Sequence, residues 1–247
     1  MPFPLALIDP ALGRIDRHCL SQDTLMELLI EHITTKEKLF FDPRQNTEWK
    51  GVIRNAQGDI TTINWLGNNI AGSISLRWLP STVNELSIWR NKLSGSIDLT
   101  SLPDCLRLLN GFYNQFSGEI DLTHLPLQMH VLSLSNNYLE GSLNLEELPP
   151  QLTNLYLNQN RFCGTINVTK LPQRLAALFL CDTALSGETD FGKLPDSLKE
   201  LSVAATDLSG VISVTLGRVC RVGGSRVTYS DGIQRSDDHF FCGERRS

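Results

Sequence analysis

From Ile60 onward, apolar and polar positions recur with a step of 23 residues. Leu-Pro stands at 79–80, 102–103, 125–126, 148–149, 171–172 and 194–195. Glycine stands at 72, 95, 118, 141, 164, 187 and 210, and asparagine at 68, 91, 114, 137 and 160, with Thr183 and Thr206 continuing that column. The unit starting at Val83 reads V-x-x-L-x-I-x-x-N-x-L-x-G-x-I-x-L-x-x-L-P-x-x. Its seven apolar columns are filled in 46 of 49 positions over seven units, the exceptions being Gly111, Thr189 and Gly217. A single unit cannot bury its apolar side, whereas a stack of units makes one continuous core.

Within each unit the pattern predicts a strand. In Glu85-Leu86-Ser87-Ile88-Trp89 the period is two, so Leu86 and Ile88 face inward while Glu85, Ser87 and Trp89 face outward. Stacked units then give a parallel sheet with strands about 4.8 Å apart. Asparagine, carrying both an amide donor and an acceptor, is expected to satisfy backbone groups of its own and the next coil. Thr183 and Thr206 offer only a hydroxyl, so the last two coils should be held less firmly. The repeating glycine allows positive φ or close chain approach. Ser96-Ile97-Asp98-Leu99 alternates again and predicts a short second strand, after which Leu-Pro fixes the corner.

These columns, with Leu93-Ser94-Gly95-Ser96-Ile97 and Leu139-Glu140-Gly141-Ser142-Leu143 as examples, resemble the leucine-rich repeat family. The subtype is plant-like, of a kind also found in unicellular eukaryotes such as kinetoplastids. The resemblance covers residues 60 to 216 and implies an α/β solenoid, mostly β. Its expected form is a horseshoe with a parallel concave sheet of about seven coils, short convex strands and a helical N-terminal cap. Residues 1–59 are read as N-terminal segment and cap, with a helix over about 21–34 and a cap strand over about 49–54. Ser21 is the expected N-cap, and Leu25, Leu28, Leu29 and His32 or Ile33 share the apolar face. Trp49-Lys50-Gly51-Val52 is similar to the cap strand of plant-like members, but the paired cysteines of their secreted forms are missing here. Residues 217–247, with six arginines against four acids and no apolar period, are expected to be an irregular tail, with a short hairpin around Val227-Thr228-Tyr229 as one option.

Charge narrows the function classes. With 22 Lys+Arg against 27 Asp+Glu, the 247-residue chain has a net charge of −5. A nucleic-acid binder needs a basic face, and a peripheral membrane protein a basic patch. No run approaches the roughly 20 apolar residues of a membrane span. Met1 to Asp9 lacks the basic lead of a secretory signal. Cys19, Cys105, Cys163, Cys181, Cys220 and Cys242 are irregularly spaced, so free thiols in the cytoplasm, or else the nucleus, are expected, and the Asn167-Val168-Thr169 sequon is taken as coincidence.

Chemistry finds little footing. The five histidines are scattered, and the one thiol in an outward strand position, Cys181, is followed by Asp182, which disfavours a thiolate. Cys220, His239 and Cys242 match no zinc-finger spacing, and no phosphate loop is present. The expectation is therefore no catalytic residue, no metal and no cofactor.

The outward columns are the better site candidate. Leu66, Trp89, Arg90, Leu108, Asn110, Phe112 and Tyr113 cluster in the first three coils, and Tyr156 and Phe179 in the fifth and sixth. Aromatic and Arg side chains at solvent-facing positions are the material of interface hot spots. The structural alternative is ordinary cross-strand packing. Gly111 leaves an inward gap that Phe112 or Tyr113 could tilt to fill. The function expected is a non-enzymatic, monomeric module binding a protein or peptide on the concave face, with no nucleic-acid or membrane partner. A self-assembling scaffold is the first alternative. An enzyme or its targeting subunit is the second, disfavoured because only about 58 residues precede the array and about 30 follow it.

Overall fold

The computed structural model describes residues 17–41, 48–213 and 217–231. The run Met1 to Asp9, the positions His239 and Cys242 and the remaining residues lie outside that set. Two sheets wind together along the array. The first has nine strands in chain order: Val52–Arg54, Ile60–Asn64, Glu85–Ser87, Leu108–Asn110, Val131–Ser133, Asn154–Tyr156, Ala177–Phe179, Glu200–Ser202 and Val219–Arg221. Val52–Arg54 pairs antiparallel with its neighbour, and every later pair is parallel. Registers such as Leu86↔Leu109 and Leu155↔Leu178 keep the 23-residue columns in line.

The second sheet has eight strands: Ala71–Gly72, Lys92–Gly95, Gln115–Gly118, Tyr138–Gly141, Arg161–Gly164, Ala184–Glu188, Asp207–Ile212 and Arg226–Tyr229. This corrects the expected second strand at Ser96–Leu99, because the strand sits just ahead of it. Ile97 and Leu99 instead turn inward, outside any strand, and are buried. The period-two pattern there reports core contact rather than sheet pairing.

Every described apolar side chain in these columns is buried, from Ile60, Ile63, Trp65, Ile70, Ile74, Leu76 and Leu79 in the first coil to Leu198, Leu201, Val203, Leu208 and Ile212 in the seventh, whereas Gly217 is exposed. Each such side chain contributes about 1.5–3 kcal/mol on burial. Gly111 does not draw an outward aromatic inward, contrary to expectation. A Cβ built on it would lie 3.0 Å from Leu134 Cδ2 and 3.4 Å from Phe116 Cε2, so those two core residues already occupy the space.

The asparagine column locks neighbouring coils together, reaching the preceding coil rather than the next. Asn137 Nδ2 donates to Leu134 O (3.0 Å) in its own coil and to Gly111 O (3.1 Å) one coil back. Its Oδ1 accepts from Phe116 N (3.0 Å). Asn91, Asn114 and Asn160 repeat the arrangement, with Oδ1 taking the amides of Ile70, Leu93 and Leu139. Thr183 Oγ1 and Thr206 Oγ1 donate to Leu180 O and Val203 O (both 2.7 Å), carbonyls of their own coils.

A helix covers the N-terminal end of the stack. Ser21 Oγ accepts from Thr24 N (3.1 Å) and starts helix Gln22–Leu29, which buries Leu25, Met26 and Leu29. The helix stops well short of 34 because the following residues pair with the second sheet: Thr34 N donates to Ala71 O (2.8 Å) and Ser73 N to His32 O (3.1 Å). Ile33 is buried there, while His32 points to solvent. Gly72, at φ 104, is required at this crossing, since a Cβ would collide with His32 O.

At the other end, residues 217–231 of the expected irregular tail form an eighth coil, and the rest of that tail lies outside the described residues. The strand of this coil follows the seventh by 19 residues (Leu201↔Cys220), so a search at the 23-residue step passes over it. Val222, Val227 and Tyr229 are its buried side chains, and Tyr229 Oη donates to Cys220 O (2.7 Å). Arg218 replaces the Leu-Pro corner, with its guanidinium donating to Leu198 O (2.9 Å) and Pro195 O (2.8 Å).

Two stability predictions follow from the buried polar groups. Asn137→Ala orphans buried backbone groups in two coils, each costing about 1–3 kcal/mol, and should destabilise by about 3 kcal/mol or more in urea unfolding, against about 1 kcal/mol for Thr183→Ala. Thr189, 4% exposed in an apolar column, has a hydroxyl with no partner among the described residues. Thr189→Val should raise stability by about 1 kcal/mol in the same assay.

Candidate functional site

Each coil presents the first sheet's strand residues and the two residues that end the turn after it. That turn has a fixed conformation. Its last residue is left-handed in every described coil: Gly67 (φ 61°), Arg90 (56°), Tyr113 (56°), Asn136 (56°), Gln159 (55°), Asp182 (53°), Ala205 (50°) and Gly224 (75°). A left-handed non-glycine residue costs roughly 1–2 kcal/mol. Backbone bonds to the next coil hold it, as in Arg90 N to Phe112 O (2.9 Å) and Tyr113 N to Ser135 O (3.0 Å). The coil therefore dictates the backbone here and leaves the side chain projecting.

The structure divides the nine candidate residues into two groups. In the first, Trp89 and Phe112 place ring centroids 6.1 Å apart, and Phe112 and Tyr113 6.0 Å apart, in tilted geometry. The Arg90 guanidinium lies 5.8 Å from the Trp89 ring centre. Trp89 and Phe112 are half-buried, Tyr113 is 58% exposed and Leu66 is 41% exposed. Leu108 is half-buried on its strand. Asn110 serves the turn, with its Oδ1 accepting from Phe112 N (3.1 Å), as Asn64 does for Leu66 (3.3 Å).

In the second group Tyr156 and Phe179 lie 5.2 Å apart. Asn154 Nδ2 donates to Tyr156 Oη (2.8 Å). Ser133 and Ser135 of the fourth coil stand between the groups in the same columns, so the two do not merge. The second group gains a member that the sequence reading missed. Arg221, in the eighth coil, sets its guanidinium 5.7 Å from the Phe179 ring centre and 3.8 Å from Glu200 Oε2. The alternation of Cys220 and Val222 as inward residues was the available signal, hidden by the shortened step.

Cys181 is not an outward thiol. It is completely buried and disulfide-bonded, which corrects the reading of six free cysteines, while Cys105 and Cys163 are free. Burial pushes the neighbouring Asp182 carboxyl up from its ordinary value and the Cys105 thiol likewise.

No protein-family model and no curated protein matches this sequence. Among solved structures, the chain is similar to that of a pollen receptor kinase 3, with 21% identity and a TM-score of 0.56 over 86% of this chain and 99% of that one. It is also similar to a plant ice-binding protein, with 16% identity and a TM-score of 0.51 over 84% of this chain and 87% of that one. The fold is a leucine-rich repeat solenoid. At these identities the likeness is one of fold. In this solenoid the inward columns and the asparagine column build the scaffold, and the outward columns vary from coil to coil.

That division predicts unequal costs for truncating two phenylalanines of one coil. Phe116→Ala removes a fully buried ring and should cost about 3–5 kcal/mol. Phe112→Ala should cost no more than about 1 kcal/mol, read by thermal and urea unfolding, because its ring is only half-buried.

Proposed function

We propose that this leucine-rich repeat chain is a non-enzymatic binding module that takes a protein or peptide on the outward face of its first sheet. The carrying observation is the contiguous ring series Trp89–Phe112–Tyr113 with Arg90 over its first ring. The core is already filled without these side chains, so packing demand does not account for large aromatics there. Trp, Tyr and Arg are the residue types that dominate interface energetics. Leu66 and Leu108 extend the apolar surface beside the rings, and Asn110 shapes the turn that carries Phe112. Tyr156 and Phe179, with Arg221, form a secondary contact area. On this reading the chain is a monomer of the plant-like subtype.

The double variant Trp89→Ala, Phe112→Ala tests the site. In affinity capture with quantified partners, the intact chain should retain proteins that the variant loses, with affinity for them falling by about 2 kcal/mol, roughly 30-fold. Circular dichroism should show the fold retained. An unchanged capture profile from a folded double variant contradicts the assignment.

A further inference from the structure

A second recessed surface lies beside the aromatic patch, along the edge where the first sheet's turns meet the second sheet. It is a furrow of about 490 Å³ running from Asn69 in the first coil to Gln159 in the fifth, a size within the range of small-ligand sites. One wall is the left-handed column Arg90, Tyr113, Asn136 and Gln159; the other carries Lys92, Gln115 and Tyr138 at the starts of second-sheet strands, and Asn69 closes the end. The floor is Asn91, Asn114 and Asn137, whose amides are consumed in joining the coils.

Three properties of the lining define what fits. First, it holds two cations and no carboxylate on a chain whose net charge is −5, and among the described residues neither Arg90 nor Lys92 is in an ion pair. Arg161, 5.0 Å from the Tyr138 ring centre, adds a third positive charge just past the wall. Second, the wall carboxamides of Asn69, Gln115, Asn136 and Gln159 make no side-chain hydrogen bond among the described residues, leaving donors and acceptors side by side. Third, Tyr113 and Tyr138 stand 58% and 48% exposed, offering flat faces and phenol hydroxyls.

A peptide is poorly served by this surface. No aliphatic side chain lines it. Its strands are paired on both sides, as Lys92–Gly95 is with Ala71–Gly72 and Gln115–Gly118, so no backbone edge is open for strand addition. A chain of linked sugar rings meets the same surface well. Ring faces stack on tyrosine, hydroxyl groups pair with carboxamides, and carboxylate substituents pair with Arg90 and Lys92. Repetition of the lining at each coil, about 4.8 Å apart, suits a linear polymer lying across the coils.

From this lining we infer that the furrow binds an acidic oligosaccharide, with carboxylates at the Arg90 and Lys92 end and rings against Tyr113 and Tyr138. This site goes beyond the partner face proposed above, and it is tested on residues outside the aromatic patch. The probe is a tetramer of α-1,4-linked galacturonic acid, titrated calorimetrically into the full chain at low salt. The controls are the neutral galactose tetramer and hexaglutamate. The expected result is saturable binding of the uronate tetramer that weakens as salt is added. Lys92→Ala and Tyr138→Ala should each lower that affinity by about tenfold while thermal unfolding is unchanged.

The inference is overturned if the acidic tetramer fails to bind, if the neutral tetramer binds equally well, or if hexaglutamate binds in its place. Binding that survives both substitutions overturns it as well. Because Lys92 and Tyr138 belong to the furrow alone, loss of saccharide in their variants is separable from loss of protein capture in the Trp89, Phe112 double variant.

Discussion

One side-chain amide, repeated at Asn91, Asn114, Asn137 and Asn160, is the interaction on which the array depends. Each turn after a strand must bury carbonyls and an amide that no sheet partner reaches, and an unmet buried group costs about 1–3 kcal/mol. The asparagine meets them with one group, and because it spans two coils it converts local satisfaction into coupling between neighbours. The apolar columns add the bulk of the burial, but they are non-directional. Alignment of coil on coil comes from the amide and the parallel registers together.

Once the inward columns and the asparagine column hold the coil, the outward positions are released from structural duty. The left-handed column shows this most directly. Arginine, tyrosine, asparagine, glutamine, aspartate and alanine all adopt nearly the same φ there, between 50° and 56°, although their intrinsic tolerance for it differs widely. A position whose backbone is dictated by its neighbours can carry whatever side chain a ligand selects. The aromatic series and the polar furrow are two uses of that freedom, on the two sides of one turn. Arg90 and Tyr113 belong to both.

The solenoid was legible in the sequence because a fixed step imposes three columns at once, and each column has its own physical cause. What escaped reading failed for local reasons. The eighth coil shortens its step to 19 residues and replaces Leu-Pro with Arg218, so the pattern that exposed seven coils concealed the last. The second-sheet strand was misplaced because Ile97 and Leu99 alternate for the core and not for pairing. The cap helix ended early because His32 and Thr34 found sheet partners, a tertiary pairing that the amphipathic pattern does not encode. At the site, the columns correctly gathered Trp89, Phe112 and Tyr113, and separately Tyr156 and Phe179, but they could not supply Arg221. Cys181 read as outward by register, yet burial and disulfide bonding remove it from the surface.

Native-state amide hydrogen exchange tests the central role of the asparagine column most directly. The amides of Leu93, Phe116 and Leu139, each accepted by an asparagine Oδ1 of the following coil, should exchange only through global unfolding. The corresponding amides of Phe162 and Leu185, which face Thr183 and Thr206, should exchange through smaller openings and therefore faster. Equal protection along the whole column, or faster exchange at Phe116 and Leu139 than at Phe162 and Leu185, would contradict the account.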